Sequence, residues 1–348
     1  MHPSDTYDRR EFLGKGAMAI AATQLAVWGD AAPVVAKNAG AAVPAIAPGS
    51  HTSFANLKQI DAGVLSVGYA QCGPTEGPPV VLLHGWPYDI HSYVDVAPAL
   101  ATAGYRVIVP YSRGYGTTRF LSRTAVRNAQ QSAAAQDVVA LMDALKIKSA
   151  IVGGYDWGAR TAGIVAALWP ERCKALVSVS GYLITNLLAN THPLSPVAEW
   201  GWWYQYYFAT ERGRLGYSEN RREFARLIWK NCSPKWDFDD ATFARSAAAF
   251  DNEDHVAIVV HNYRWRLSLA SGEPQYDHLE ARLDEAPAIA VPTITIASDF
   301  DGAAASGDSY RRKFTGAYAH RILPGIGHNV PQEAPQAFAQ AVIDADGL

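Results

Sequence analysis

The sequence predicts an α/β fold in which helices flank a mostly parallel sheet and a helical segment is inserted into the chain path of that sheet. From residue 79 onward, short apolar runs alternate with stretches of helical spacing, which is typical of βαβ units and a parallel sheet covered on both faces. Between about residues 183 and 287 this alternation stops, and the chain becomes rich in aromatic residues and arginine with a mostly helical pattern. Hydrophobic residues make up 49% of the 348 residues, which is enough for a well-buried core.

The individual elements follow in order along the chain. Strands are predicted where apolar runs end in turn residues, at residues 79–83, 105–110, 149–153, 175–179, 291–296 and 321–323. Helices are predicted at residues 133–145, 159–169 and 334–343, where apolar residues share one helical face. Residues 49–183 and 288–348 are therefore expected to form the two parts of one α/β domain, with residues 184–287 as a helical lid between them.

The N-terminal residues 1–48 are predicted to be a signal segment and linker rather than part of the fold. Residues 8–13 read Asp-Arg-Arg-Glu-Phe-Leu, and a short apolar run covers residues 17–28. This pattern resembles a twin-arginine (Tat) export signal. The resemblance implies transient contact with the Tat export machinery and a periplasmic or secreted protein. The alternative is an ordinary basic amphipathic terminus.

Charge and cysteine content narrow the classes of partner. The net charge of -3 provides no basic patch for a phosphate backbone, so no nucleic acid partner is expected. Cys72, Cys173 and Cys232 lack the spacing of a metal site, and an odd number of cysteines cannot complete a disulfide framework. We therefore expect them to be small buried side chains.

The main chemical signal lies at residues 154–158, Gly-Tyr-Asp-Trp-Gly, between a predicted strand and a predicted helix. This arrangement predicts a nucleophile elbow, a sharp strained turn that requires small residues two positions before and two positions after the nucleophile. Asp156 occupies the nucleophile position. It would stand at the N-terminus of the following helix, where backbone N–H groups favour negative charge.

A second loop is expected beside this elbow. Residues 84–87, His-Gly-Trp-Pro, end an early strand, at the position from which an elbow of this kind receives its second oxyanion donor. The backbone N–H groups of Trp86 and Trp157 are therefore predicted to stabilise an oxyanion. His84 and Gly85 belong to the same predicted binding loop, in which His84 is expected to shape the backbone by hydrogen bonding.

Two further members of a catalytic triad are predicted near the C-terminus. His328 lies in a turn after the last predicted strand, so the chain order nucleophile, acid, histidine is kept. The acid should follow the strand at residues 291–296, where Asp299 and Asp301 are both candidates. Asp301 is favoured because it directly precedes Gly302 at the usual distance past the strand, whereas Asp299 is explained by a turn cap.

The sequence over about residues 50–348 resembles the epoxide hydrolase branch of the α/β-hydrolase family. The shared motifs are His-Gly-Trp-Pro at 84–87, Arg-Gly-Tyr-Gly at 113–116 and the elbow with Asp156, Trp157 and Gly158. The helical insertion matches the lid of that family in position and length. Segments 203–208 and 262–264 resemble those that carry its two lid tyrosines, which implies that Tyr204 and Tyr263 hydrogen-bond the epoxide oxygen; lid packing is the alternative explanation.

The carboxylate at position 156 selects a particular chemistry. A carboxylate that attacks a saturated carbon forms an alkyl ester, which water can then hydrolyse at its carbonyl carbon. The expected substrate is therefore a small apolar epoxide or alkyl halide. An epoxide would yield a vicinal diol, with His328 oriented by Asp301 to activate the water. No metal or organic cofactor is expected for this chemistry.

Two other functions remain as alternatives. Haloalkane and haloacetate dehalogenases use the same type of triad, and the indole N–H of Trp157 could bind a halide. Fluoroacetate dehalogenases carry two arginines just after the nucleophile. In this sequence Trp157 stands in place of the first, and only the second is matched, by Arg160. Paired tyrosines favour an epoxide, because its oxygen needs proton donors and a halide does not. A noncatalytic binding protein with the same fold is the remote alternative, and it predicts a broken triad.

Overall fold

The computed structural model describes residues 45–304 and 306–348. All but the last residues of the predicted signal segment and linker, 1–48, therefore lie outside the described residues. Within the described part, the chain forms one sheet of nine strands. The strands are β1 (Leu57–Ala62), β2 (Leu65–Cys72), β3 (Pro79–Leu83), β4 (Arg106–Pro110), β5 (Arg119–Phe120), β6 (Ala150–Gly154), β7 (Cys173–Val179), β8 (Thr293–Ser298) and β9 (Tyr318–Leu323).

The spatial order of the strands is β1-β2-β4-β3-β6-β7-β8-β9, and the short strand β5 pairs with β2. All neighbours from β4 to β9 are parallel, whereas β1, β2 and β5 join by antiparallel pairing. Leu83 at the end of β3 is in register with Gly154 at the end of β6. The loops that follow these two strands therefore leave the sheet side by side, which brings residues 84–87 next to the elbow.

Helices cover both faces of the sheet and also form a separate layer between β7 and β8. The helices are α1 (Val96–Thr102), α2 (Gln131–Ala144), α3 (Trp157–Leu168), α4 (Pro196–Gly201), α5 (Trp203–Ala209), α6 (Glu211–Cys232), α7 (Asp240–Ala247), α8 (His255–Arg266), α9 (Asp277–Asp284), α10 (Val330–Glu333) and α11 (Pro335–Asp346). No helix in the described ranges is both long and apolar enough to cross a membrane.

The strand β3 illustrates why the sheet must be covered twice. Val80 and Leu82 belong to one buried cluster together with residues of α1, α11 and the inserted helices. Val81 and Leu83 point the other way, into a second cluster with residues of α2 and α3. Successive strand residues face opposite sides of a sheet, so an uninterrupted apolar run requires packing on both faces.

The predicted α/β fold and its parallel strands are confirmed, with shifts of a few residues at some ends. The helix predicted to begin at residue 159 starts at Trp157, and the last strand starts at Tyr318 rather than at residue 321. The antiparallel hairpin β1–β2 was not predicted. Its first strand is an edge strand whose residues are mostly exposed, so it lacks the continuous apolar run that marks the buried parallel strands.

Six helices, α4 to α9, lie where the sequence predicts the lid. The last of them differs in its packing, because Leu279 and Leu283 of α9 join the core cluster that contains α2 and α3. The earlier lid helices therefore cover the loops that follow the carboxyl ends of the strands. Two of these helices, α5 and α8, place Tyr204 and Tyr263 against Trp86.

Candidate active site

The turn at residues 154–158 has the strained backbone of a nucleophile elbow. Asp156 has a φ of 53° and a ψ of -125°, a conformation that side-chain-bearing residues rarely adopt. A Cβ atom on Gly154 would lie 2.4 Å from the carbonyl carbon of Gly158, and one on Gly158 would lie 1.9 Å from the carbonyl oxygen of Leu83. Both glycines are required because backbone approaches them so closely.

The two oxygens of the Asp156 carboxylate have different neighbours. Oδ1 accepts a hydrogen bond from the backbone N–H of Trp86 at 2.8 Å, and Oδ2 lies 3.3 Å from Nε2 of His328. Burial alone raises the pKa of Asp156. His328, the backbone N–H of Trp157 and the charge of Arg160 outweigh burial and hold that pKa below its usual 3.8. The carboxylate is therefore ionised and available as a nucleophile at neutral pH.

The loop at residues 84–87 is shaped to approach this carboxylate. A Cβ on Gly85 would lie 2.5 Å from Oδ1 of Asp156, so only glycine fits there. Nδ1 of His84 donates to the carbonyl oxygen of Gly85, and Nε2 of His84 accepts from the backbone N–H of Ser112. Burial lowers the pKa of His84, which keeps the ring neutral and able to accept that bond. His84 thus orders the loop without facing the carboxylate.

His328 is buried beside the elbow, in the turn after β9. Its ring centroid lies 4.1 Å from that of Phe300, and its backbone N–H donates to Oγ of Ser233. Among the residues that the structure describes, Nδ1 of His328 has no hydrogen-bond partner. The ring position is therefore set by packing and by its contact with Asp156.

The two candidate acids lie in different environments. Asp301 is 6% exposed, and its Oδ2 accepts the backbone N–H of Ser298 at 2.8 Å. Burial raises the pKa of Asp301, and hydrogen bonds from Ser180 and the Ser298 backbone N–H, followed by the charge of His328, oppose that rise. Asp299 instead pairs with Lys235 at 2.6 Å on the surface. Asp301 is thus the acid turned toward the interior, although the expected hydrogen bond to Nδ1 of His328 is not formed in this arrangement.

Tyr204 and Tyr263 come together although 58 residues separate them in the sequence. Their ring centroids are 5.3 Å apart, and they lie 5.1 and 5.2 Å from the Trp86 ring, respectively. Burial raises the pKa of both phenols well above 10, and the negative charge of Asp156 adds to this effect. Both hydroxyls therefore stay protonated and can donate hydrogen bonds near the carboxylate.

A buried chain of hydrogen bonds holds the Trp86 side chain. Its Nε1 donates to the hydroxyl of Tyr217 at 2.9 Å, and that hydroxyl donates to Nε2 of His255 at 2.9 Å. Nδ1 of His255 in turn donates to the carbonyl oxygen of Gly114 at 3.0 Å. Burial lowers the pKa of His255 to about 3, so the ring is neutral and accepts at Nε2. The chain fixes the residue whose backbone N–H binds Asp156.

Several residues of this site were not identified from the sequence. Tyr217 and His255 lie in the lid without a motif, and their roles follow only from their contacts with each other and with Trp86. Arg160 is 8% exposed and influences Asp156. Its position four residues after Asp156 was a usable signal, because it matches one of the two arginines that follow the nucleophile in fluoroacetate dehalogenases. Arg266, which also lies near the tyrosines, gave no such signal.

Among the described residues, no three histidine, cysteine, aspartate or glutamate side chains lie together in a group that could hold a metal ion. Cys173 and Cys232 are buried free thiols, as expected, and Cys72 is partly buried. The indole N–H of Trp157 is buried beside the Tyr263 side chain and forms no hydrogen bond of normal geometry within the described ranges. It therefore remains available to a bound molecule.

The sequence and the fold of this chain are similar to those of known α/β hydrolases. A family model described as the alpha/beta hydrolase fold matches residues 78–220. The chain is 60% identical to a candidate epoxide hydrolase of known structure from Klebsiella pneumoniae, covering 85% of this chain and 98% of that one, with a TM-score of 0.83. An epoxide hydrolase from Vigna radiata, 18% identical over 83% of this chain and 96% of its own with a TM-score of 0.66, shares the fold.

Curated relatives match over a shorter region. Epoxide hydrolase B from Mycobacterium tuberculosis is 36% identical over 151 residues, which are 40% of this chain and 42% of that protein. A haloalkane dehalogenase from Mycobacterium marinum is 32% identical over 136 residues, 38% of this chain and 44% of that protein. The matched region thus spans about two fifths of the length of these curated relatives.

Proposed function

The chain belongs to the α/β hydrolase fold family, and on that premise we propose that it is an epoxide hydrolase that converts a small-molecule epoxide to a vicinal diol through an ester on Asp156. The observation that carries the proposal is an ionised, buried carboxylate next to Trp86, on whose ring the two protonated phenols of Tyr204 and Tyr263 pack. Similarity to epoxide hydrolases supports it.

In the first step, Oδ2 of Asp156 attacks one carbon of the epoxide. A carbon–oxygen bond forms as the ring carbon–oxygen bond breaks, and the ring oxygen takes a proton from Tyr204 or Tyr263. A serine in this place would form an ether, which water cannot readily release, whereas the aspartate forms an ester. General acid catalysis by such a phenol contributes roughly 10²–10⁴-fold to a rate.

In the second step, His328 takes a proton from a water molecule that attacks Cγ of Asp156. Negative charge develops on Oδ1, the oxygen that already accepts the Trp86 N–H at 2.8 Å. Trp86 and Trp157 act as the oxyanion donors, and one such donor is typically worth about 3–4 kcal/mol. As the intermediate collapses, the departing diol oxygen takes the proton from the imidazolium, which Asp301 stabilises until then. The carboxylic acid left on Asp156 then returns a proton to the tyrosinate, which restores the carboxylate and the phenol.

A single-turnover experiment in H₂¹⁸O tests this route with a panel of neutral and charged terminal epoxides and enzyme in excess. The ester mechanism requires an unlabelled diol, because the new hydroxyl oxygen comes from Asp156 and the label stays on the enzyme. Asp156→Asn is the control and should form no diol. Label in the first-turnover diol would instead mean direct attack by water and would overturn the proposed nucleophile.

Dehalogenation is the second candidate, and one observation favours it. The indole N–H of Trp157 is buried beside Tyr263 without a hydrogen bond of normal geometry in the described part of the chain, and such a donor suits a leaving halide. Similarity to a haloalkane dehalogenase agrees with this possibility. Halide release from chloro- and bromoalkanes, measured beside diol formation from epoxides of the same chain length, separates the two functions.

Export through the Tat machinery is a further part of the proposal, with the periplasm or the exterior as the destination. It rests on residues 8–13, Asp-Arg-Arg-Glu-Phe-Leu, and on the apolar run at residues 17–28. Fusing residues 1–48 to a reporter that is active only after export tests it. Replacing Arg9 and Arg10 by lysine should abolish export, and a wild-type fusion that stays in the cytoplasm would contradict the proposal.

A further inference from the structure

Two arginines lie close to the reactive groups without a carboxylate partner. Arg160, on α3, is 8% exposed, and its Nε donates to the carbonyl oxygen of Leu183. Arg266 ends α8, where its guanidinium lies 5.1 Å from the ring centroid of Trp202 and 5.9 Å from that of Tyr263. Within residues 45–304 and 306–348, neither arginine belongs to an ion pair, and Nε of Arg266 is buried without a hydrogen-bond partner.

The charges of the two guanidinium groups influence each other. Burial lowers the pKa of Arg160 to about 10, and the positive charge of Arg266 is the next largest cause of that shift. Asp156 acts in the opposite direction but has the smaller effect. Two positive charges thus act close to the reactive carboxylate, and the Arg160 guanidinium is buried without an ion-pair partner among the described residues. A buried charge without a partner is costly, so this region favours an additional anion.

The two arginines also have a regular relation to the reactive groups. Trp157 of α3 and Tyr263 of α8 have ring centroids 5.8 Å apart, and each precedes one of the two arginines by three residues on its own helix. Residues with this separation lie on one helix face with Cβ atoms about 5–6 Å apart. The contact between the two helices therefore brings Arg160 and Arg266 toward the same region, next to the elbow that carries Asp156. The N-terminus of α3 adds further positive potential next to Arg160.

We propose that Arg160 and Arg266 bind a carboxylate of the substrate, so that the natural substrate is a short epoxy acid whose epoxide ring lies within one or two carbons of its carboxylate. This inference rests on the proposed epoxide hydrolase function and deepens it. The planar guanidinium group suits a carboxylate because it donates two parallel hydrogen bonds. Binding the carboxylate at the arginines would orient the ring carbon toward Asp156 and the ring oxygen toward the tyrosines.

The test compares glycidate with glycidamide, which have the same carbon skeleton and differ in charge. The parent enzyme should favour glycidate in kcat/KM, and Arg266→Gln and Arg160→Gln should each reduce that preference about 10–100-fold, the value of one charge-assisted hydrogen-bonded pair. Arg264→Gln, on the same helix, is the matched control and should keep the preference. Arg266→Lys should give an intermediate value, because it keeps the charge but loses the paired donors.

A direct binding measurement supports the kinetic one. Glycerate, the diol formed from glycidate, should bind to the parent enzyme in calorimetry, whereas glycerol should not. Binding of glycerate should weaken about 10-fold or more in Arg266→Gln. This half-buried position at the end of a helix keeps the test informative if Arg160→Gln fails to fold.

The outcomes separate this inference from the proposed function. If glycidamide and glycidate are hydrolysed equally and the arginine variants affect both equally, the arginines act on Asp156 or on folding, and the epoxy-acid inference is overturned while the epoxide hydrolase function stands. If neither compound nor any other epoxide forms a diol, the proposed function itself fails. A preference for glycidate that Arg266→Gln and Arg160→Gln each reduce and Arg264→Gln keeps supports the inference.

Discussion

Nε2 of His328 lies 3.3 Å from Oδ2 of Asp156, while the other oxygen of that carboxylate accepts the Trp86 backbone N–H at 2.8 Å. The two carboxylate oxygens therefore have different neighbours, which suit them to different roles in the reaction. Oδ1 is held where negative charge would develop in an acyl intermediate. Oδ2 faces the space next to the imidazole, from which an attack on carbon and a later attack by water can both proceed.

Replacing His328 by Gln should trap the covalent intermediate. Attack by Asp156 does not need the imidazole, but hydrolysis of the ester does, so the ester should accumulate. Intact-protein mass spectrometry after treatment with a reactive epoxide should give a mass increase equal to one epoxide. The added Asp156→Asn substitution should abolish the adduct. A His328→Gln protein that turns over without any adduct would contradict the ester mechanism.

Removing the phenol hydroxyls should slow epoxide opening selectively. Tyr204→Phe and Tyr263→Phe should each lower kcat/KM for epoxides by roughly 10–100-fold, and the double variant should lose more, because the leaving oxygen then lacks a proton donor. Tyr206→Phe is the control, since this exposed tyrosine lies on the same helix. Equal losses with alkyl halides would show that the two tyrosines act in packing rather than as acids.

Asparagine substitutions should distinguish the two candidate triad acids. Asp301→Asn should lower kcat at least about 100-fold, because a charged imidazole would lose its buried partner. Asp299→Asn should have little effect, since its carboxylate is on the surface and pairs with Lys235. Steady-state kinetics on one epoxide suffices. The reverse order of effects would identify Asp299 as the acid.

Alanine substitutions at two glycines of α3 should have opposite effects, because Gly158 belongs to the elbow and Gly163 does not. Gly158→Ala should lower activity about 100-fold or more, because the added Cβ would lie 1.9 Å from the Leu83 carbonyl oxygen and displace the oxyanion loop. Gly163→Ala, whose Cβ would meet only Ile289 at 3.8 Å, should keep activity and add up to about 1 kcal/mol of stability. Activity assays and chemical denaturation give both answers, and an active Gly158→Ala enzyme would be inconsistent with the elbow geometry.

The buried His255 should make stability fall at acidic pH. Burial lowers its pKa in the folded protein to about 3, against 6.5 for the free side chain, so the unfolded chain takes up a proton first as pH falls. Its contribution is complete above pH 6.5 and declines by about 1.4 kcal/mol per pH unit below that value. Denaturation between pH 6 and 4 should therefore be less pH-dependent in His255→Gln. The exposed His278→Gln should behave like the parent, and equal slopes in all three proteins would refute the assignment.

Some of this site could be predicted from the sequence because its signals are local. The elbow needs glycines at fixed distances from Asp156, and His328 follows the last strand, so short segments were sufficient to identify both as candidates. The parallel strands were predicted for a similar reason, since burial on both faces leaves continuous apolar runs. The β1–β2 hairpin was missed because an edge strand has no such run.

The remaining features depend on contacts between distant parts of the chain. The separation of Asp301 from Asp299 rests on which carboxylate is buried, and two acids two residues apart do not reveal this. The chain from Trp86 through Tyr217 to His255 spans the oxyanion loop and two lid helices. The neighbouring charges of Arg160 and Arg266 likewise come from the core and the lid. The sequence by itself predicted which group attacks, because the glycines that allow the strained turn lie at fixed positions next to Asp156. Only the tertiary structure decided what surrounds that group, because burial and charge are set by packing between helices far apart in the sequence.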